Sequence, residues 1–372
     1  MKILFVVPRY HTNMVGWIQA LRDNGSQVNV HAIIQGSTEN HKELIPQIFP
    51  LSKLSEFIID LLGEGGVNKF RGFPNPVKYY RELKRLKPDI LIVRDIKRWF
   101  SLVAAICARL LGIKIVIYSQ ITLNSHYSVK RRFMFNFILS IFDAIWITPI
   151  LGDKNRKVNL PQRLFYIPFA INTNKPCNKE ISRPIKIMTI GKFVKRKRHL
   201  LLLQALSELR EEGYDFELII VGENSTPIHT EQLFKIEEYL LVSNISKRVT
   251  INTNIPHEEI GNFYEGTDIF VLPASNEPAG IVVLEAISYG LPVICSNTCG
   301  TRWYLDHLEN AYIFRDNQLS DLKEGLRWYF NVKDKLSLRE LCKENAQATI
   351  SGDNYIKLLN KALNSHFGIN LN

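Results

Sequence analysis

Cysteine is scarce in this chain, with five residues among 372. The one close pair, Cys295 and Cys299, has no second pair and no histidine cluster near it. That pattern indicates neither a disulfide framework nor a zinc site, and it suits a reducing cytoplasm. Long uncharged runs are also missing. No stretch of about 18 residues is free of charge, which argues against a membrane-spanning helix. The start, MKILFVVPRYH, has a lysine and a short apolar run but no small-residue cleavage site, so it does not read as a signal peptide. Glycine (20) and proline (16) are too few for a collagen-like or low-complexity chain. What remains is ordinary for a folded protein, 46% hydrophobic and 22% charged, and longer than one core usually supports.

Negative charge is scarce in the first half alone. Residues 1–175 carry 25 Lys+Arg and 11 Asp+Glu, a net of +14; residues 176–372 carry 22 and 25, a net of −3. A field of that sign attracts nucleic acid, anionic lipid or an acidic substrate, and it also serves solubility. No helix-turn-helix, zinc finger or RNA-binding motif is readable, so nucleic acid is not expected. Residues 129–147, VKRRFMFNFILSIFDAIWI, place Lys130, Arg131 and Arg132 ahead of Phe133, Phe135, Phe137, Ile141 and Phe142. A helix of this kind can enter a lipid headgroup layer through its aromatics and hold it with its cations. The same letters fit a core-facing helix that leads into a buried strand at Ala144 to Ile147.

Short apolar runs alternate with helical patterns along the chain. Lys2 to Val7, Gln27 to Ile34, Ile90 to Val93, Lys114 to Tyr118, Ala144 to Thr148 and Leu164 to Ile167 read as buried parallel strands. After the irregular, Asn- and Pro-bearing segment Ile171 to Pro184, the scheme repeats with strands at Ile185 to Ile190, Phe216 to Val221, Val249 to Asn252, Ile269 to Leu272 and Pro292 to Ser296. The expected fold class is α/β, with two Rossmann-like doubly wound parallel-sheet domains, 1–175 and 176–372, and a cleft between them. The last helix is free to pack back on the first domain. Ligands of such sheets sit at the carboxyl ends of the strands, against helix N-termini.

The richest stretch is DIFVLPASNEPAGIVVLEAISYGLPVICS, residues 268–296. A strand ends at Pro273, a loop carries Glu277 and Gly280, and a helix then holds Glu285. Gly280 lets backbone approach a ligand, and the first amides of the helix, at Gly280, Ile281 and Val282, are donors for anionic oxygens. Two carboxylates flanking such a site suit sugar hydroxyls. A second piece, GKFVKRKRH at 191–199, sets Lys192, Lys195, Arg196, Lys197 and Arg198 at a strand-to-helix turn. These cations suit a diphosphate, and a solvated basic loop shows the same composition. A third piece is the segment Pro8 to Trp17, where Gly16 opens a helix.

The stretch NEPAGIVVLEAISYGLPVI resembles the Glu-x7-Glu signature of the retaining nucleotide-sugar glycosyltransferases of family 4 (glycosyl transferases group 1), which have the GT-B fold. The resemblance extends over most of the chain, through Lys2 to Leu21, IPFAINT at 167–173, GKFVKRK and LIIVGE at 218–223. It implies that Glu277 contacts donor-sugar hydroxyls, that the Gly280 and Ile281 amides, beside that of Val282, hold sugar or phosphate oxygens, and that Glu285 binds the ribose. Lys192 and Lys197 would neutralise the diphosphate next to Gly191 and Gly222. Asn254 and Ile255 would lie near the base, and Gly16 would let the first-domain loop approach the diphosphate. Four departures stand out, the first being Val15 before Gly16 where the resemblance places a second glycine. Lys192 occupies the place of an arginine, and Arg198 that of a glycine. Tyr118, Ser119 and Gln120 occupy the place of a histidine, which leaves Gln120 and His126 as first-domain candidates.

The resemblance implies sugar transfer from a nucleotide-diphosphate sugar, with UDP the commonest base, and front-face retention with the departing phosphate as base. An Asp-x-Asp motif is absent, so no metal and no further cofactor are expected. The basic half and the 130–142 segment point to a saccharide or lipid-linked acceptor at the inner face of a membrane, in bacterial surface polysaccharide synthesis. A sugar-nucleotide epimerase or a glycogen-type phosphorylase of the same fold, and a non-catalytic membrane or partner adaptor, are the rival readings.

Overall fold

The structure is a computed structural model that describes residues 1–10, 12–35, 44–61, 71–153, 155–156, 158–176 and 180–371. It divides into two compact units, residues 1–170 with 352–372 and residues 171–351. Residues 177–179, inside the segment read as a linker, lie outside the described residues.

The first unit is built on a seven-stranded sheet. Its strands are β1 (Lys2–Arg9), β2 (Gln27–Ile34), β3 (Gln47–Ile48), β4 (Ile90–Arg94), β5 (Lys114–Tyr118), β7 (Ala144–Thr148) and β9 (Leu164–Tyr166), in the order β3-β2-β1-β4-β5-β7-β9 and all parallel. The near-continuous apolar runs follow from burial on both faces; in β1 the residues from Ile3 to Pro8 are all buried. Two short strands, β6 (Thr122–Asn124) and β8 (Ile150–Gly152), pair separately. The helices are α1 (Val15–Asp23), α2 (Lys53–Leu61), α3 (Pro76–Leu86), α4 (Trp99–Leu110) and α5 (Val129–Phe142). Asn75 caps α3 by accepting from the Lys78 amide, with Pro76 opening the first turn, and Lys87 ends it in the left-handed region. The C-terminal helix, Gly352–Phe367, packs on α1. There the buried Trp17 stacks on Tyr355 at 5.4 Å and donates to the Pro168 carbonyl at 2.7 Å.

The segment with two open readings is the 14-residue helix α5. Both faces matter. Phe135, Leu139 and Phe142 are buried and join the core, with Phe135 against Trp146 of β7 at 4.3 Å. Phe133, Phe137 and Ile141 are exposed, as are Lys130 and Arg131. No helix among the described residues is long and apolar enough to cross a membrane.

The second unit carries a six-stranded parallel sheet of β10 (Ile185–Ile190), β11 (Phe216–Gly222), β12 (Val249–Thr253), β13 (Ile269–Leu272), β14 (Val293–Ser296) and β15 (Ala311–Phe314), in the order β12-β11-β10-β13-β14-β15. Its helices are α6 (His199–Glu211), α7 (Pro227–Val242), α8 (Ile260–Glu265), α9 (Ile281–Ser288), α10 (Leu319–Asn331) and α11 (Lys335–Ile350); Gly352–Phe367 is α12. Asp268, just before β13, accepts from the Arg339 guanidinium at 2.8 Å and from the Lys186 amide at 2.8 Å. Both charges are 1% exposed. The chain leaves β10 toward β11 on one side and returns to β13 on the other. The loops after β10 and β13 therefore diverge at the switch point, where such a sheet opens a crevice.

Candidate functional site

Those two loops carry the charged pieces singled out from sequence. Glu277 lies in the loop after β13, with its side chain 10% exposed. Its Oε2 accepts from Lys197 Nζ at 2.7 Å and from Arg196 Nη1 at 2.5 Å. Its Oε1 has no partner among the described residues. Burial works to raise the Glu277 carboxyl; the Lys197 ammonium and the Arg196 guanidinium outweigh it and hold the pKa below the ordinary carboxylate value. Gly191 makes the Lys197 path possible. A Cβ at Gly191 would lie 2.9 Å from Cδ and Cε of Lys197, so the lysine stem crosses the bare glycine on its way to Glu277.

Further bonds tie the same loops together. Arg198 pairs with Asp316 at 2.5 Å, Asp316 accepts from the Ser275 hydroxyl at 2.6 Å, and the Ser275 amide donates to the Arg196 carbonyl at 2.9 Å. Arg198 has φ +52°, a conformation that costs glycine least, which accounts for the glycine that the resemblance places there.

Lys192 goes elsewhere. Its ammonium pairs with Glu223, after β11, at 2.8 Å. Burial tends to raise the Glu223 carboxyl, and Lys192 and the Ser225 hydroxyl pull it below the ordinary value. The expected single cation cluster is therefore divided among three carboxylates: Lys197 and Arg196 on Glu277, Arg198 on Asp316, and Lys192 on Glu223.

Glu285 stands about one turn into α9. Its Oε2 accepts from the Tyr264 hydroxyl at 2.9 Å, and its Oε1 meets His257 Nε2 at 3.3 Å. The hydrogen bond to Glu285 raises the His257 pKa, against burial and the Lys175 charge. Tyr264 is buried, stacks on Tyr289 at 5.2 Å and also donates to the Val282 carbonyl.

At the start of α9 the structure corrects the sequence reading. The Ile281 amide is spent on the Ala279 carbonyl at 3.0 Å, which leaves the Gly280 and Val282 amides without acceptors among the described residues. Gly280 is a glycine for packing: a Cβ there would meet Leu272 at 3.0 Å and Cys299 Sγ at 3.2 Å. Gly222 is also a packing glycine, because the Phe193 ring fills the place of its Cβ at 2.2 Å. Asn254, at φ +56°, accepts from the Asn224 amide at 2.7 Å and donates to its carbonyl at 3.0 Å, so its side chain staples two loops. Ile255 beside it is half-buried.

The first-unit candidates lie on separate segments, though Tyr118 touches both Trp17, next to Gly16, and Gln120. Gly16 is in the first turn of α1. Gln120 donates to the Tyr118 hydroxyl at 3.1 Å, and His126 is exposed on the rim of a concavity ahead of α5. Sequence reasoning missed His257, Tyr264 and Glu223 as partners of the named residues. The signal for His257 was its place directly after the Asn254–Pro256 turn, and Glu223 directly follows Gly222.

Residues 171–349 match the family model of glycosyl transferases group 1. An uncharacterized glycosyltransferase of Haemophilus influenzae is 28% identical over 166 residues, 43% of this chain and 44% of that protein. The chain spans about half the length of the curated relatives that head the comparison. A UDP-Gal:alpha-D-GlcNAc-diphosphoundecaprenol alpha-1,3-galactosyltransferase of Escherichia coli is 24% identical over 314 residues, 77% of this chain and 76% of that one. Among solved structures, Alr3699/HepE of Anabaena in complex with UDP superposes with a TM-score of 0.71 at 15% identity, over 98% of this chain and 100% of that chain. The chain thus has the GT-B fold, and its residues 171–349 match the model of the glycosyl transferases group 1 family.

Proposed function

We propose that the chain is a retaining glycosyltransferase that moves a sugar from a nucleotide-diphosphate sugar, UDP-sugar in the first instance, to a lipid-linked saccharide in surface polysaccharide synthesis. The observation that carries this reading is the Glu277 carboxylate, whose Oε2 holds Lys197 and Arg196 while Oε1 stays open at the switch-point loop. The open oxygen suits a donor-sugar hydroxyl. The two cations suit the diphosphate, whose negative charge grows as its bond to the anomeric carbon breaks. The acceptor oxygen forms the new bond on the same face, and its proton passes to the departing diphosphate. Glu285, oriented by Tyr264 and His257, suits the two ribose hydroxyls. UDP in a structural neighbour and the diphospholipid acceptor named for the E. coli relative support the choice of substrates.

The first unit is proposed to rest on an anionic membrane surface through Lys130, Arg131 and the exposed face of α5, so that a lipid-linked acceptor is within its reach. The test of the catalytic reading is sugar transfer from labelled UDP-sugars into a bacterial lipid extract. Glu277→Gln and Lys197→Ala enzymes are expected to lose at least about a hundredfold in rate, the loss typical for removing a preorganised charge contact. Wild-type rates in both variants would sink the reading.

A further inference from the structure

The first unit has a concavity that the donor site does not use. Its volume is about 470 Å³, and His126, Ser128, Val129, Arg132, Arg156 and Val158 are among its lining residues. They come from the segment after β5 and the segment after β7 and β8, and β5 and β7 are parallel neighbours. The concavity thus belongs to the segments that follow two adjacent strands, the side of an open α/β sheet where ligands bind. Among the described residues no carboxylate pairs with Arg132 or Arg156. The N-terminus of α5 begins in this lining, where Ser128 Oγ accepts from the Arg131 amide at 3.3 Å, and adds its own positive end.

Val129 belongs to two features. It lines the concavity, and it starts a row on α5 of Val129, Phe133, Phe137 and Ile141, exposed by 74%, 72%, 57% and 48%. A spacing of four keeps the row on one side of the helix for roughly 18 Å. The Phe133 and Phe137 rings stack with centroids 6.3 Å apart. A recess whose guanidinium groups meet no carboxylate among the described residues therefore runs directly into a strip of uncovered hydrocarbon. A planar lipid surface requires the strip and the charge but no recess. One molecule with an anionic head and an apolar tail requires all three.

We propose that the recess and the row bind a single amphiphile, with a phosphoryl or diphosphoryl head between Arg132 and Arg156 and a linear hydrocarbon tail along Phe133, Phe137 and Ile141. The inference rests on the acceptor reading above and specifies its lipid part. The test is calorimetric titration of the full-length protein with farnesyl diphosphate and with inorganic diphosphate, beside flotation with phosphatidylglycerol vesicles. Farnesyl diphosphate is expected to bind at least tenfold more tightly than inorganic diphosphate. R132Q/R156Q is expected to weaken it at least tenfold, and F133S/F137S to weaken it while leaving inorganic diphosphate unchanged. UDP affinity, read in every variant, reports on the second unit: its retention shows a folded protein, and its absence in the wild type counts against the donor reading alone. Farnesyl diphosphate that binds no better than inorganic diphosphate, or equally well to R132Q/R156Q, overturns the proposal. Vesicle binding without farnesyl diphosphate binding also overturns it and leaves only a general lipid surface.

Discussion

His257 and Glu277 respond to pH in opposite senses. The hydrogen bond to Glu285 places the folded-state pKa of His257 above its ordinary 6.5. A group raised in this way stabilises the fold fully below 6.5, and the contribution is lost as pH climbs through the raised value. Denaturant unfolding of His257→Gln, compared with wild type across pH 5.5 to 8.5 (roughly one unit below to two above the ordinary imidazole value), should show its largest deficit at the acid end. An equal deficit at every pH would mean that the His257–Glu285 contact does not titrate. Glu277 runs the other way: its depressed carboxyl contributes above its ordinary 4.5 and loses the contribution as pH falls through the folded value. At this scale the letters NEPAG and GKFVKRK were enough to name Glu277 and Lys197, because both lie in one short motif each. The division of cations was not legible. Which carboxylate Lys192 meets depends on β11 lying beside β10, a fact of topology. Tyr264 gave no signal at all, since a buried tyrosine inside a helix looks like core.

The loop from Pro273 to Gly280 is held from behind by several bonds, to Ser296, Thr298, Thr301 and Gly300, and Gly300 lies against it most closely. The Gly300 amide donates to the Glu277 carbonyl at 2.8 Å, and a Cβ at Gly300 would lie 2.0 Å from the Pro278 carbonyl oxygen. That obstacle is backbone, so the loop itself must move. Gly300→Ala is expected to cost about 2–3 kcal/mol in urea unfolding and to lower sugar transfer by displacing Glu277. Unchanged stability and activity would mean that the loop yields freely. Most strands and helices were readable in the sequence, because strands buried on both faces leave unbroken apolar runs and the helices between them keep their period. The misses have physical reasons. β3, β6 and β8 are two or three residues long, too short for any period, and β15 has two of its four residues half-buried. The N-terminus of α9 was misjudged because the Ile281 amide turns back to Ala279, a local twist that no residue type announces.

Charge separates the two halves of the molecule. The net of +14 over residues 1–175 against −3 over 176–372 gives the first unit a field that the second lacks. With Lys130, Arg131 and the exposed row on α5 it predicts sedimentation with phosphatidylglycerol vesicles that weakens as salt rises, since exposed charges are screened within about 10 Å at 0.1 M. Lys130→Glu/Arg131→Glu should weaken it further, and binding indifferent to both salt and charge would remove the membrane from the account. In the proposed reading, Glu277, Lys197 and Glu285 of the second unit bind a nucleotide-diphosphate sugar. The most direct test is thermal unfolding of wild type and Glu285→Gln in a series of UDP-, GDP- and ADP-sugars. A true donor at a hundred times its dissociation constant should stabilise the wild type by about 3 kcal/mol, a rise of several degrees, and the variant by clearly less. No shift of the wild type with any of these sugars would contradict the claim.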